Sequence, residues 1–125
     1  MEEQTNIEFI GIGTKETMKL KPAIVKIVKT EVSEVGEKQV KKLICLCQHP
    51  DAEELIKISS AKTEKKGKLG VGGFWINLDE DGLINKNTTL AQFLQFLNAK
   101  NIHELTGKES KTIEDENNYL VFKSY

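Results

Sequence analysis

Valine and isoleucine recur from Ala23 to Val35 with Lys26 and Lys29 interleaved, just after Pro22. A second apolar run extends from Gln39 to Cys47 and carries Val40, Leu43, Ile44, Cys45, Leu46 and Cys47. Runs this rich in β-branched residues predict strands. Glu34-Val35-Gly36-Glu37 lies between them, so the pair reads as a long β-hairpin. Leu55–Ser60 predicts a short third strand, with Ile56 and Ile58 on one face and Leu55, Lys57 and Ser59 on the other. The lysine-rich stretch that follows ends in Gly67, Gly70, Gly72 and Gly73, a spacing that predicts a mobile loop or a bent strand. Phe74–Leu78 reads as extended, and Asp79-Glu80-Asp81-Gly82 as a turn, because aspartate bonds its own backbone and glycine supplies a positive φ.

One segment switches from the strand period to the helix period. Leu90, Phe93, Leu94 and Leu97 stand at i, i+3, i+4 and i+7, a single buried stripe with Phe96 at its edge. Thr88 or Thr89 can cap it, and Thr89-x-x-Gln92 matches a capping box. Asn98 or Lys100-Asn101 ends the helix, and Ile102–Leu105 predicts one more helical turn closed by Thr106-Gly107. Lys108–Glu114 and Tyr119–Tyr125 predict two final strands around the polar turn Asp115-Glu116-Asn117-Asn118.

The order is therefore three strands, a glycine-broken loop, one helix and two strands. A helix between the third and fourth strands of a five-stranded closed sheet is the order of an OB-fold, and a mainly β, OB-like barrel is the expected architecture. An open antiparallel sheet with one covering helix fits the same string and is the alternative. Residues 1–19 read as a polar leader in which Ile7, Phe9, Ile10 and Ile12 form a short apolar run; residues 20–125 read as one domain. The 125-residue length leaves no room for a second independent core. The acidic, polar start is unlike a secretory signal, and no apolar run approaches the length of a bilayer span.

Charge narrows the function classes. All 18 cationic residues are lysines, and 19 acids oppose them for a net charge of −1. Without arginine the chain lacks the guanidinium fork used for bidentate base reading, so a sequence-specific DNA reader is not expected. The charge is unevenly distributed: residues 15–68 carry a net +5, while the segments on either side carry −3 each. Lysine ammonium groups bind phosphate as point charges. Cys45 and Cys47 are the two cysteines and would face the same side of a strand. With His49 they would form three donors, but free cysteines are mostly small buried hydrophobes, and reduced thiols suit a cytoplasmic, intracellular setting.

Other motifs fall short of the chemistry they suggest. Asn77, Asp79, Asp81, Gly82 and Ile84 stand at five positions of a calcium loop, but Thr88 occupies the place of the bidentate glutamate and a strand-like segment precedes it. The window reads as an acidic surface turn. Gly67-Lys68 is followed by Leu69 rather than the serine or threonine of a phosphate loop. No nucleophile motif surrounds Ser59, Ser60, Cys45, Cys47, His49 or His103. The expectation is a non-enzyme without metal or cofactor.

The coherent constellation is basic and aromatic. Lys26, Lys29, Lys41, Lys42 and Lys57 alternate with apolar residues on the first three strands. Lys62, Lys65, Lys66 and Lys68 follow, then Phe74 and Trp75, with Tyr119 on a late strand. Cations that track a backbone and rings on which bases stack are the parts of a single-strand binder.

The run Lys21-Pro22 with its Val/Ile strand, His49-Pro50-Asp51, Ile58-Ser59-Ser60, Phe74-Trp75-Ile76-Asn77-Leu78-Asp79-Glu80-Asp81-Gly82, the Leu90–Leu97 helix, Thr106-Gly107-Lys108 and Tyr119-Leu120-Val121-Phe122-Lys123 span residues 20–125. Together they resemble small uncharacterised proteins of archaea and of viruses or mobile elements. Similar phage proteins are taken to be OB-like single-stranded DNA-binding proteins. The resemblance implies single-stranded DNA binding, and the basic and aromatic constellation read from the residues points to non-sequence-specific binding of single-stranded DNA or RNA. Lys26, Lys41, Lys57, Lys62, Lys65, Lys66 and Lys68 are the expected phosphate contacts, and Phe74 and Trp75 the expected stacking rings. The alternative is a protein–protein adaptor of a replication or virus/mobile-element system.

Overall fold

The computed structural model describes residues 20–37 and 40–125, and the leader predicted for residues 1–19 lies outside the described residues. Among the described residues seven strands form: β1 (Ile24–Val35), β2 (Val40–Gln48), β3 (Ile56–Ile58), β4 (Ser60–Lys65), β5 (Lys68–Gly73), β6 (Glu109–Glu114) and β7 (Leu120–Ser124). One helix, α1 (Thr89–Phe96), and a 3₁₀ turn at Ile102–Leu105 separate β5 from β6. Among the described residues no helix is long and apolar enough to cross a membrane.

The strands make a single mixed sheet in the order β3-β2-β1-β6-β7-β4-β5, antiparallel except for the parallel pair β4 and β7. This is the open sheet with one covering helix, not the closed five-stranded ring. Two departures from the expected string account for the difference. The expected third strand breaks at Ser59, so β3 pairs with β2 while β4 pairs with β7 on the far side of the sheet. The lysine-rich stretch and its glycines, expected as a mobile loop or a bent strand, form the β4–β5 hairpin. Its two-residue turn, Lys66-Gly67, has positive φ at both positions (51° and 79°), which matches the twist of the flanking strands.

The two ends of the sheet are joined through the chain. Ser59 alone separates β3 from β4. Inward-facing Ile58 and Ala61 are three positions apart rather than two, so Ser59-Ser60 contain one extra residue that re-aims the strand. The Phe74 N–H donates to the Ser59 carbonyl (2.9 Å), the Leu43 N–H to the Phe74 carbonyl (2.9 Å) and the Ile76 N–H to the Lys41 carbonyl (2.9 Å). The chain after β5 therefore runs along β2, next to where β3 leaves it.

The core lies on one side of the sheet. Val25 and Ile27 of β1, Leu43, Cys45 and Cys47 of β2, and Ile58, Ala61 and Phe122 form one buried cluster with Leu90, Phe93 and Leu94 of α1. Phe74, Phe93 and Phe122 stack with centroid separations of 4.7, 5.9 and 4.6 Å. Leu90, Phe93 and Leu94 are the buried stripe of α1, Leu97 is half-buried and Phe96 is exposed, as the helix period requires. Thr88 is the N-cap, its Oγ1 accepting from the Ala91 N–H at 3.1 Å. The capping box read at Thr89-x-x-Gln92 is not made, and the Gln92 Oε1 is buried without a partner. The helix ends where Asn98 adopts φ 57°: Asn98 N–H donates to Gln95 and Ala99 N–H to Leu94, the paired bonds of a left-handed stop. Gly72 lets the helix start this close to the sheet, since a Cβ there would lie 2.1 Å from the Thr89 Oγ1.

Candidate functional site

The register of β1, β2 and β3 determines which residues share the face away from the core. Residues directly opposite each other across antiparallel strands point to the same side. Leu43, Cys45 and Cys47 point inward, so Lys42, Ile44, Leu46 and Gln48 point outward. Lys26 is opposite Gln48, Lys29 opposite Leu46, Glu31 opposite Ile44 and Ser33 opposite Lys42. A register shift between Ile27 and Lys29 keeps Lys26 and Lys29 on the same side although they are three residues apart. On the other flank of β2, Lys57 is opposite Leu46 and Trp75 is opposite Lys42.

The outer face thus holds Lys26, Lys29, Lys42, Lys57 and Trp75 around a floor of Ile44 and Leu46. Lys29 and Lys57 flank Leu46 from both neighbouring strands, so their aliphatic stems can lie over it while the ammonium groups reach water. The face is not uniformly basic: Glu31 belongs to it, and Glu109 of β6 stands opposite Lys26. Trp75 is 38% exposed, and its ring lies 4.9 Å from the Lys42 Nζ. Gly73 accommodates the indole edge, because a Cβ there would lie 2.9 Å from the Trp75 Nε1.

Of the expected phosphate contacts, Lys26 and Lys57 are exposed on this face. Lys41 points to the opposite side, across from Glu34. Lys62 is half-buried on the outer side, between Val71 and Lys123. Lys65 and Lys68 pair with each other, with Lys65 on the same side of the sheet as buried Thr63; the Lys65 Nζ donates to the Asn87 carbonyl at 2.8 Å, beside the start of α1. Lys66 is at the exposed tip of the β4–β5 hairpin. The seven lysines are therefore divided over two sides of the sheet.

Phe74, expected as a stacking ring, is corrected by the structure. It is 0% exposed, stacked on Phe93 in the core, and has no free face for a base. Adjacent residues of an extended segment point to opposite sides, so burial of Phe74 is what turns Trp75 outward. Sequence reasoning left Lys29 and Lys42 out of the contact set. The strand pattern alone does not separate them: Leu43, Cys45 and Cys47 alternate with the equally apolar Val40, Ile44 and Leu46, and only the burial of the odd positions puts Lys42 outside and Lys41 on the core side.

The other candidate chemistry is occupied by structural roles. The Cys45 and Cys47 thiols are buried, and burial pushes both up to about 12; the neighbouring Cys47 adds to the rise at Cys45. The Nδ1 of buried His49 accepts from the Asp51 N–H (3.0 Å), and its Nε2 bonds the Lys21 carbonyl (2.7 Å). That pattern requires the tautomer protonated at Nε2, and it leaves no ring nitrogen for a metal. Asp79 uses its Oδ1 to accept from the Asp81 and Leu83 N–H groups (2.9 and 3.0 Å), which makes the acidic window a closed turn. Among the described residues no group of three or more His, Cys, Asp or Glu is placed to hold a metal ion. No family model, curated protein or solved structure matches the chain.

Proposed function

We propose that the chain is a small OB-like domain that binds single-stranded nucleic acid, DNA in the first instance, without sequence preference. Counting β3 and β4 as one strand bent at Ser59, the strands β1, β2, β3/β4, β7 and β6 each pair with the next, and β6 pairs back to β1. The helix follows the third of these strands. The sheet itself is open, with β3 and β5 at its edges, but this succession of strands around the bend at Ser59 supports the OB-like reading.

The observation that carries the binding proposal is the outer face itself, where the exposed Trp75 and four lysines lie on β1, β2, β3 and the segment after β5. OB-folds use the face of their second and third strands to bind oligonucleotides. Lysines spaced along such a face neutralise successive phosphates, and an exposed indole accepts any base, because every base has a π-face.

The test is a titration of Trp75 fluorescence with an oligo-pyrimidine strand at low and physiological salt. Saturable quenching is expected. If Lys26, Lys29, Lys42 and Lys57 each displace one counterion, log K falls with log[salt] at a slope of about −3. A chain that neither quenches nor retards the strand in a gel at low salt does not bind it, and the search then turns to a protein partner.

A further inference from the structure

An open groove of about 590 Å³ runs between β3 and the turn that joins β6 to β7. Half-buried Leu20, Ile56 and Leu120 form its apolar wall, and Tyr119 stands beside them, 69% exposed. The backbone under that ring is held firmly. The Tyr119 N–H donates to the Asp115 Oδ1 (2.9 Å), and the Tyr119 carbonyl accepts from the Asp115 N–H (2.9 Å). Asp115 also borders the groove, but the same Oδ1 accepts from the Asn117 N–H (2.8 Å), so the carboxylate is engaged in closing the turn. Lys57 lines the groove and also belongs to the outer face, opposite Leu46. It is the cation shared by the two surfaces.

We infer that this groove receives one base of the same single strand that crosses the outer face, with Tyr119 as a second stacking ring and Lys57 on the phosphate between the two rings. The inference rests on the nucleic-acid reading above. Trp75 is level with Lys42 and Lys57 is level with Leu46, four residues along β2, which is about 13 Å of strand. A backbone that leaves Trp75 toward the groove therefore has a cation on its path. A slot with an aromatic ring and an aliphatic wall accepts a flat apolar face, and the charge at its edge suits an anionic tether. A base within a duplex is already stacked on both sides and pays an unstacking cost before it can enter, so the groove favours unpaired strands.

Two measurements on the full chain test this. In the Trp75 titration, Tyr119→Ala is expected to weaken oligo-pyrimidine affinity about ten-fold, while Tyr119→Phe retains it. Both variants should melt with the native chain, because the Tyr119 ring is exposed and its turn is held by backbone groups. Irradiation of a bound strand carrying 5-iodouracil should give an adduct on the peptide containing Tyr119, separate from any on the Trp75 peptide. Native affinity in Tyr119→Ala with no adduct at Tyr119, while the native chain still quenches, would overturn the groove and leave the outer face standing. If the native chain binds no strand at all, the nucleic-acid reading fails, and the groove assignment fails with it.

Discussion

The Lys42 ammonium stands 4.9 Å from the centroid of the Trp75 ring, and the two residues are register partners across β2 and the segment after β5. A cation over an exposed indole contributes about 0.5–1 kcal/mol and holds the ring in one orientation. On the proposed reading the same ammonium meets a phosphate. Lys42→Gln is therefore expected to weaken oligo-pyrimidine binding and to reduce the magnitude of the salt slope by about 0.7, the effect of one phosphate contact on a single strand. Lys41→Gln, one residue away on the opposite side of the sheet, is expected to leave both quantities unchanged. Equal effects from the two substitutions would show that binding does not distinguish the faces.

Phe74 and Trp75 are adjacent and have opposite roles. Phe74→Ala removes a fully buried ring from the stack with Phe93 and Phe122 and is expected to cost about 3–5 kcal/mol of stability. Trp75→Ala should cost much less and abolish the quenching signal, so its strand affinity has to be read by gel retardation. Urea denaturation separates the two: a large fall in midpoint for Phe74→Ala and a small one for Trp75→Ala. Comparable midpoints would contradict this division of roles.

The close approach of α1 to β5 at Gly72 is testable by a double-mutant cycle. Gly72→Ala puts a methyl group 2.1 Å from the Thr89 Oγ1 and is expected to destabilise by about 1–3 kcal/mol. Thr89→Ala removes that oxygen. In the double variant part of the Gly72→Ala cost should return, which appears as a coupling energy above 0.5 kcal/mol. Strict additivity would mean that the Gly72→Ala cost does not come from the contact with Thr89.

The buried thiols make stability depend on alkaline pH. Burial raises Cys45 and Cys47 from 9.0 to about 12, so the folded chain keeps both protons where the unfolded chain releases them. A raised folded pKa contributes stability that is fully present below pH 9 and is lost as pH rises from 9 toward 12. The urea midpoint should be flat in this respect up to about pH 8.5 and then fall. A Cys45→Val/Cys47→Val variant should lose less between pH 8.5 and 10.5 than the native chain. Identical losses would mean that the thiols do not contribute. The folded chain should also resist thiol alkylation at neutral pH, because the thiolate is the reactive form.

Two turns far apart in the chain use one device. Asp79 and Asp115 each bond two backbone N–H groups downstream through Oδ1, and the left-handed position is filled by Gly82 (φ 77°) in one and Asn118 (φ 65°) in the other. Gly82→Ala should destabilise by about 1 kcal/mol, because a Cβ at positive φ meets the following carbonyl. Asn118→Gly should be near neutral or slightly stabilising. Thermal melting of the two variants checks the contrast, and a gain in stability from Gly82→Ala would refute it.

Several elements were legible from local pattern. The β1–β2 hairpin, α1 with its Leu90-Phe93-Leu94 stripe, a stop at either Asn98 or Lys100-Asn101, of which Asn98 is the one made, and the turns at Asp79 and Asp115 all follow from residues within one or two turns of each other. Side-chain period, capping oxygens and positive-φ positions are local properties, so a local reading finds them. The basic and aromatic character of the candidate site was legible for the same reason, since Lys26, Lys57 and Trp75 advertise themselves by residue type.

The amino-acid sequence by itself determined where the chain is extended, where it is helical and where it turns. Only the tertiary structure decided what each extended piece pairs with. Ala61 finds Phe122 and Lys26 finds Glu109, partners sixty and more residues away, and those pairings set the break at Ser59 and the strand order. They also decided that Phe74 fills the core and Trp75 faces out, and that Lys42 rather than Lys41 stands beside it. The physical reason is the two-residue period of a strand. It divides neighbours between two faces, and which face becomes the inside is settled by what packs against it.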